Sequence, residues 1–261
     1  MTSGFVITCF ENLEHCIVNI ELIRRMQSFK NSVISVISTT ANNNIADGFR
    51  NLAYKPGLQP ILIDVLENSA GNPGVAWEPP PTQDYDTPHE KNSWRARFLP
   101  MRLLKSMSVG FNRLVQCDCD TALHLHSDTF WKLDHEKLLL DEQDRLKEIY
   151  GIWDLCIEDS GGFGPKGIHP HPAPMHLNLQ ECYKLDIINF HKVFYHDTFR
   201  HYNFKSIESL IGCWANFCLC GKSVLNKDDT CCQEFYDKFK VRCQRYYHGN
   251  FPHIFSDPCQ Q

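Results

Sequence analysis

The chain has 261 residues, with 26 Lys and Arg against 31 Asp and Glu, a formal charge of −5. That length buries a sizeable core as one large or two small domains, and the mildly acidic, mixed charge speaks against a strongly basic nucleic-acid surface. Hydrophobic residues make up 43%, a globular rather than disordered composition. The 13 Cys and 13 His are unusual, because both residue types bind metals. The start, MTSGFVITCF, lacks a basic region followed by a long apolar run, so no signal peptide is read. The expectation is a soluble, cytoplasmic protein with reduced thiols, most of them small buried hydrophobes. Cys218, Cys220, Cys231 and Cys232 form a cluster, but their CxC and CC spacings are not those of a zinc ribbon or finger.

In chain order, residues 5–10 (FVITCF) read as a buried strand. Leu13, Cys16, Ile17, Ile20, Ile23, Met26 and Phe29 recur at helical spacing and predict an amphipathic helix of about four to five turns. The β-branched run 33–37 (VISVI) predicts a second strand, and Ile45, Phe49, Leu52 and Ala53 a short helix. Residues 61–66 (ILIDVL) predict a third strand, entered through Pro60. This βαβαβ alternation implies a mostly parallel α/β sheet, with the strand C-termini along one ligand-binding edge.

Residues 68–100, rich in Pro, Asn and acid, read as a long loop over that edge. Apolar positions from Leu103 to Val115 predict a helix, 122–125 a strand, 133–150 a helix and 152–157 (IWDLCI) a strand. Residues 158–174 (EDSGGFGPKGIHPHPAP) read as a second loop. A strand near 175–179 and helices near 183–193, 207–220 and 231–241 complete the chain. No internal repeat is present, and no stretch approaches the 18 or more apolar residues of a membrane span.

The most informative segment is Thr121 to Trp131, TALHLHSDTFW. A short apolar strand delivers His126-Ser127-Asp128 to its C-terminal end. There an imidazole and a carboxylate two positions apart share one side of an extended chain, a pair that can hold a divalent cation.

In order and spacing, residues 4–131 resemble the GT-A glycosyltransferases, the nucleotide-sugar-dependent enzymes with a DxD motif. The resemblance is carried by Thr8-Cys9-Phe10-Glu11-Asn12 at the first turn and Glu67 to Asn72 after the third strand. Gly110-Phe111-Asn112 in the following helix and His126-Ser127-Asp128 at the DxD position complete it. It departs from the family where His126 replaces the first carboxylate. A literal DxD, Asp118-Cys119-Asp120, precedes the strand at a turn, where such residues are commonly solvated.

What the resemblance implies is a single GT-A-like α/β domain over 1–261. Its nucleotide-sugar-binding half would be 1–131 and its acceptor half 132–261, with a helical C-terminal part. The activity implied is sugar transfer from a UDP- or GDP-sugar to a hydroxyl acceptor, family-2-like and inverting rather than retaining. Mn²⁺ or Mg²⁺ would be held by Asp128 and His126, with His248 or His253 completing the shell. Donor-contact candidates are Thr8, Phe10, Glu11, Ser38, Asn68, Arg102, Lys105, Asn112 and Ser127, with Arg97 a further basic residue. An inverting enzyme needs a carboxylate to deprotonate the acceptor. Glu208, opening an apolar helix, is the first choice, followed by Asp159 in the Glu158-Asp159 pair and then Asp197. Each of these residues has a plain reading as a strand-end, helix-end or surface residue. Two alternatives stand beside the transferase. His124-Leu125-His126-Ser127-Asp128 also fits the HxHxD of metal-dependent hydrolases, and a degenerate sugar-nucleotide-binding protein would share the fold without activity.

Overall fold

The computed structural model describes residues 1–40, 42–66, 88–130, 135–156, 169–199, 207–221, 230–242 and 247–248. At its centre is a seven-stranded sheet in the order β3-β2-β1-β4-β7-β6-β8. The strands are β1 Ser3–Cys9, β2 Val33–Ser38, β3 Ile61–Val65, β4 Thr121–His126, β6 Gly151–Cys156, β7 His169–Asn178 and β8 Phe239–Arg242. β3, β2, β1 and β4 pair in parallel, β7 runs antiparallel to β4 and β6, and β8 is parallel to β6. One strand of seven therefore runs against the rest, the α/β, mostly parallel sheet expected. A separate ribbon pairs β5 Thr129–Phe130 with β9 Tyr247–His248.

Side-chain alternation splits the core into two layers. Phe5, Ile7, Leu123 and Leu125 face one side. There they pack with Cys16, Ile20 and Ile23 of α1 Leu13–Arg25, Phe49 of α2 Asn43–Leu52 and Leu139 of α4 Glu136–Arg145. Val6 and Ala122 face the other side. They meet Leu104, Met107, Phe111 and Leu114 of α3 Pro88–Gln116, and that layer continues through α5 Leu179–Lys184, α6 Ile207–Cys220 and α7 Thr230–Lys238. Gly110 allows α3 to lie directly on β1. A Cβ there would overlap Val6 Cγ1 and come within 3.3 Å of Ile37 Cγ1.

Several boundaries differ from expectation. α1 ends at Arg25, one turn early, because Met26 takes extended backbone angles. Phe29 still reaches the core from the following turn, edge-on to Phe5 at 5.6 Å. α4 is likewise shorter than the 133–150 pattern suggested.

The expected loop 68–100 is corrected over its last third, because residues 88–100 are the first half of α3. Pro88 opens that helix where its missing N–H costs nothing, and Trp94, Phe98 and Met101 already recur at the helical spacing i, i+4, i+7. Residues 67–87 lie outside the described residues. The loop expected over 158–174 is corrected as well, since β7 already begins at His169. β4 pairs only with residues 175–178, so the proline-rich start of β7 is laddered on the β6 side alone, where prolines are tolerated. Finally, the helix expected to reach 241 stops at Lys238 and continues as β8. No described helix is long and apolar enough to cross a membrane.

Candidate functional site

A cleft of about 350 Å³ opens where the parallel strands end. Its walls are Thr8 and Cys9 at the end of β1 with Phe10 and Asn12 just beyond, Thr39 after β2, His126 at the end of β4 with Ser127 and Asp128 after it, and Arg102, Leu103 and Ser106 of α3. This C-terminal edge is where open α/β sheets bind ligands.

The β4 end is clamped from both sides. Ser127 N–H donates to the Thr8 carbonyl at 3.0 Å, and Asn19 Nδ2 donates to the Ser127 carbonyl at 2.7 Å. Asn19 is completely buried on α1, a polar residue inside an apolar stripe. Ser127 and Asp128 form a two-residue turn between β4 and β5. They do not continue an extended chain, as the sequence reading assumed, yet His126 and Asp128 still line the same cleft. Burial, tempered by a hydrogen bond to Ser127, pushes the Cys9 thiol up to about 11, so it is neutral at ordinary pH.

Arg102 forms the opposite wall. Its Nη2 donates to the Thr39 carbonyl at 2.7 Å and to Thr39 Oγ1 at 3.0 Å, and its guanidinium lies 4.6 Å from the Phe10 ring centroid. Burial lowers the Arg102 pKa while the Glu11 carboxylate raises it. An arginine stays charged through such a shift. The guanidinium is thus fixed in orientation by a backbone carbonyl and an aromatic face.

Of the residues singled out in the sequence, Thr8, Phe10, Arg102, His126, Ser127 and Asp128 converge on this cleft. Glu11 and Ser38 stand behind it. Thr40 Oγ1 donates to Glu11 Oε1 at 3.3 Å, and Ser38 Oγ donates to the Phe10 carbonyl at 3.2 Å, tying the ends of β1 and β2 together. Lys105 and Asn112 fall on a different face of α3 and line a second cavity. The literal Asp118-Cys119-Asp120 sits at the opposite end of the sheet, where Asp120 Oδ2 accepts from Thr2 N–H.

His124 meets the His126 ring edge-on at 5.4 Å but is not part of the cleft lining. It is fully buried, bonded through Nε2 to Thr8 Oγ1 at 3.0 Å and set against Phe111 at 6.1 Å. Among the described residues, His124, His126 and Asp128 do not form a three-ligand metal-holding group, so the HxHxD reading is not favoured.

Asn68, Asp159 and His253 lie outside the described residues, as do the side chains of Glu208 and His248. The Glu208 backbone is in the first turn of α6. The His248 backbone pairs with Thr129, the residue after Asp128. Asp197 is in the 3-10 helix Asp197–Phe199, away from the cleft lining.

The sequence reading quoted Cys9 and Asn12 in the first-turn element without giving them a role, and it missed Thr39 and Ser106, which reach the cleft by strand register and helical phase. Asn19 was also missed, although it left a signal in the sequence, being polar at the i+3 position of the Cys16, Ile20, Ile23 stripe.

Among the described residues, no three His, Cys, Asp or Glu side chains gather into a metal-holding group. Asp128 and His126 offer one carboxylate and one imidazole. That set fits an exchangeable hard cation completed by substrate oxygens rather than a resident structural metal.

No family model matches the chain, and no curated protein matches its sequence. Solved structures that it resembles include the galactosyltransferase LgtC in complex with donor and acceptor sugar analogues. Identity there is 12%, over 91% of this chain and 72% of LgtC, with a TM-score of 0.43. Mouse xyloside xylosyltransferase 1, apo form, is 10% identical over 97% of this chain and 99% of the other, with a TM-score of 0.46. S. aureus TarS 1-349 in complex with UDP-GlcNAc is 12% identical over 95% and 58%, also with a TM-score of 0.46. At these values the likeness leaves the chemistry of this chain to its own cleft.

Proposed function

We propose that the chain is a single-domain, metal-dependent glycosyltransferase that moves a sugar from a UDP- or GDP-sugar to an acceptor hydroxyl, with inversion. One observation carries the reading. At the C-terminal edge of a parallel sheet, the same cleft is lined by Asp128 and His126 on one wall and by the oriented Arg102 guanidinium on the other. Such a bracket suits a diphosphate, whose negative charge grows as the sugar leaves.

Asp128 and His126 would hold Mn²⁺ or Mg²⁺, which when bound stabilises the departing diphosphate. The pairing of His248 with Thr129 supports His248 as a further ligand, with His253 as the alternative. Arg102 holds the diphosphate from the opposite side, and Phe10, Thr8 and Ser127 contact the rest of the donor, with Asn68 as a further donor contact. Residues 1–131 form the donor half and 132–261 the acceptor half. Glu208 accepts the proton of the attacking hydroxyl, with Asp159 as the second candidate.

The test is a thermal-shift panel of UDP- and GDP-sugars with Mn²⁺, followed by product release. One donor should raise the melting temperature only with metal, because ligand at about 100 times Kd adds about 2.7 kcal/mol of stability. Asp128→Ala should abolish that shift and turnover together, while Glu208→Gln keeps the shift and loses turnover. No shift with any nucleotide overturns the proposal.

A further inference from the structure

The helix α1 carries one residue that packing alone would not place there. It turns Cys16, Asn19, Ile20 and Ile23 inward, at i, i+3, i+4 and i+7, and all four are completely buried. Cys16, Ile20 and Ile23 belong to one apolar core layer. Asn19 brings an amide into that stripe, and its Oδ1 is buried with no hydrogen-bond partner among the described residues. A buried, unpaired carbonyl oxygen lowers stability, and an apolar side chain at this position would avoid the loss.

The other half of the amide is used. Asn19 Nδ2 donates to the Ser127 carbonyl at 2.7 Å. That carbonyl lies in the peptide plane that Ser127 shares with the N–H of Asp128. The preceding plane is fixed as well, because Ser127 N–H donates to the Thr8 carbonyl at 3.0 Å. On the far side of Asp128, Thr129 pairs with His248. The two planes before Asp128 are thus held by β1 and α1, and the residue after it by β9. Of these three restraints only the one from Asn19 comes through a side chain, so it can be removed by substitution without breaking a backbone ladder.

We propose that Asn19 is a positioning residue for Asp128. It does not line the cleft, and it acts through the Ser127–Asp128 peptide, which it holds so that Asp128 is presented to the cleft in one orientation. The proposal rests on the reading of the cleft as a metal-assisted donor site. A carboxylate held in place binds an exchangeable cation more tightly than one free to turn away.

The test compares the parent chain with Asn19→Leu, which completes the apolar stripe and removes the unpaired oxygen together with the donor. Its melting temperature should stay close to that of the parent. In the metal-free chain, amide hydrogen exchange at residues 127–129 should speed up about tenfold, the effect of one lost hydrogen bond, while exchange at residues 5–7 of β1 stays unchanged. Binding of UDP and of GDP is then measured with Mn²⁺ and with EDTA. Asn19→Leu should lower the Mn²⁺-supported affinity about tenfold or more and leave the affinity in EDTA unchanged, a split that general loosening of the fold does not produce. Asn19→Ala should reproduce both effects, so the outcome does not hang on the fit of Leu, and Ile23→Val, one turn further along the stripe, should produce neither. A parent chain that binds neither nucleotide with Mn²⁺ overturns the glycosyltransferase reading and the role of Asn19 with it. Where the parent binds, unchanged exchange at 127–129, unchanged Mn²⁺-supported affinity, or equal losses with Mn²⁺ and EDTA overturns the positioning role alone.

Discussion

Gly110→Ala tests how the helix that carries Arg102 is seated. Gly110 is buried where α3 crosses β1, and an added Cβ would overlap Val6 Cγ1 while standing 3.2 Å from Val6 Cγ2 and 3.3 Å from Ile37 Cγ1. Val6 and Ile37 are both fully buried β-branched residues on interior strands, stiff at χ1 and unable to swing aside. Overpacking of this kind costs up to about 3 kcal/mol, against a helix-propensity gain of about 1 kcal/mol for Gly to Ala. The net loss is about 2 kcal/mol, or roughly 4–8 °C in melting temperature for a chain of this size. Urea denaturation followed by tryptophan fluorescence and circular dichroism measures it. In a Val6→Ala background the same substitution should cost less, because the clashing methyls are gone, and a double-mutant cycle reads that coupling. A Gly110→Ala variant as stable as the parent, or a cycle with no coupling, refutes the close approach of α3 to β1.

Two further predictions concern the cleft and the thiols. Arg102→Ala removes two donations to Thr39 and the stack on Phe10. It should lower stability by about 2 kcal/mol in thermal melts and weaken nucleotide binding, and an unchanged melt contradicts that geometry. Burial raises Cys9 to about 11 and Cys119, Cys213 and Cys218 to about 12. The folded state binds these protons more tightly than the unfolded state. Their contribution is therefore complete below the ordinary thiol value of 9.0 and is lost as pH rises towards 11–12. Urea midpoints should fall across that window and not between pH 6 and 8, and a flat profile to pH 11 refutes it.

The parallel half was legible because its strands are short β-branched runs separated by stripes at helical spacing. FVITCF, VISVI and ILIDVL became β1, β2 and β3 within one or two residues. Legibility failed where pairing outweighed composition. The prolines of 170–174 look like loop, yet one-sided laddering makes them strand. Phe239 and Val241 continue a helical stripe, yet β6 takes them as a parallel neighbour. In the site, residues chosen for their chemistry at strand ends converged, as Thr8, His126 and Asp128 do. Thr39 and Ser106 did not stand out, because their type is ordinary and only the register of β2 and the phase of α3 bring them in.

The same phase governs how charge is assigned. Arg102 and Lys105 are three residues apart and look like a pair of basic groups for one diphosphate. On α3 they belong to different faces, Arg102 with Ser106 in the cleft and Lys105 with Ser108 and Asn112 in the second cavity. Among the described lining residues, the cleft therefore sets one guanidinium against one carboxylate, Asp128, with Glu11 just behind. A diphosphate entering that cleft alone would meet as much negative charge as positive. If the cleft takes a diphosphate as proposed, a cation on the Asp128 wall would restore the balance, and donor affinity should then depend on Mn²⁺ or Mg²⁺ far more than on Lys105.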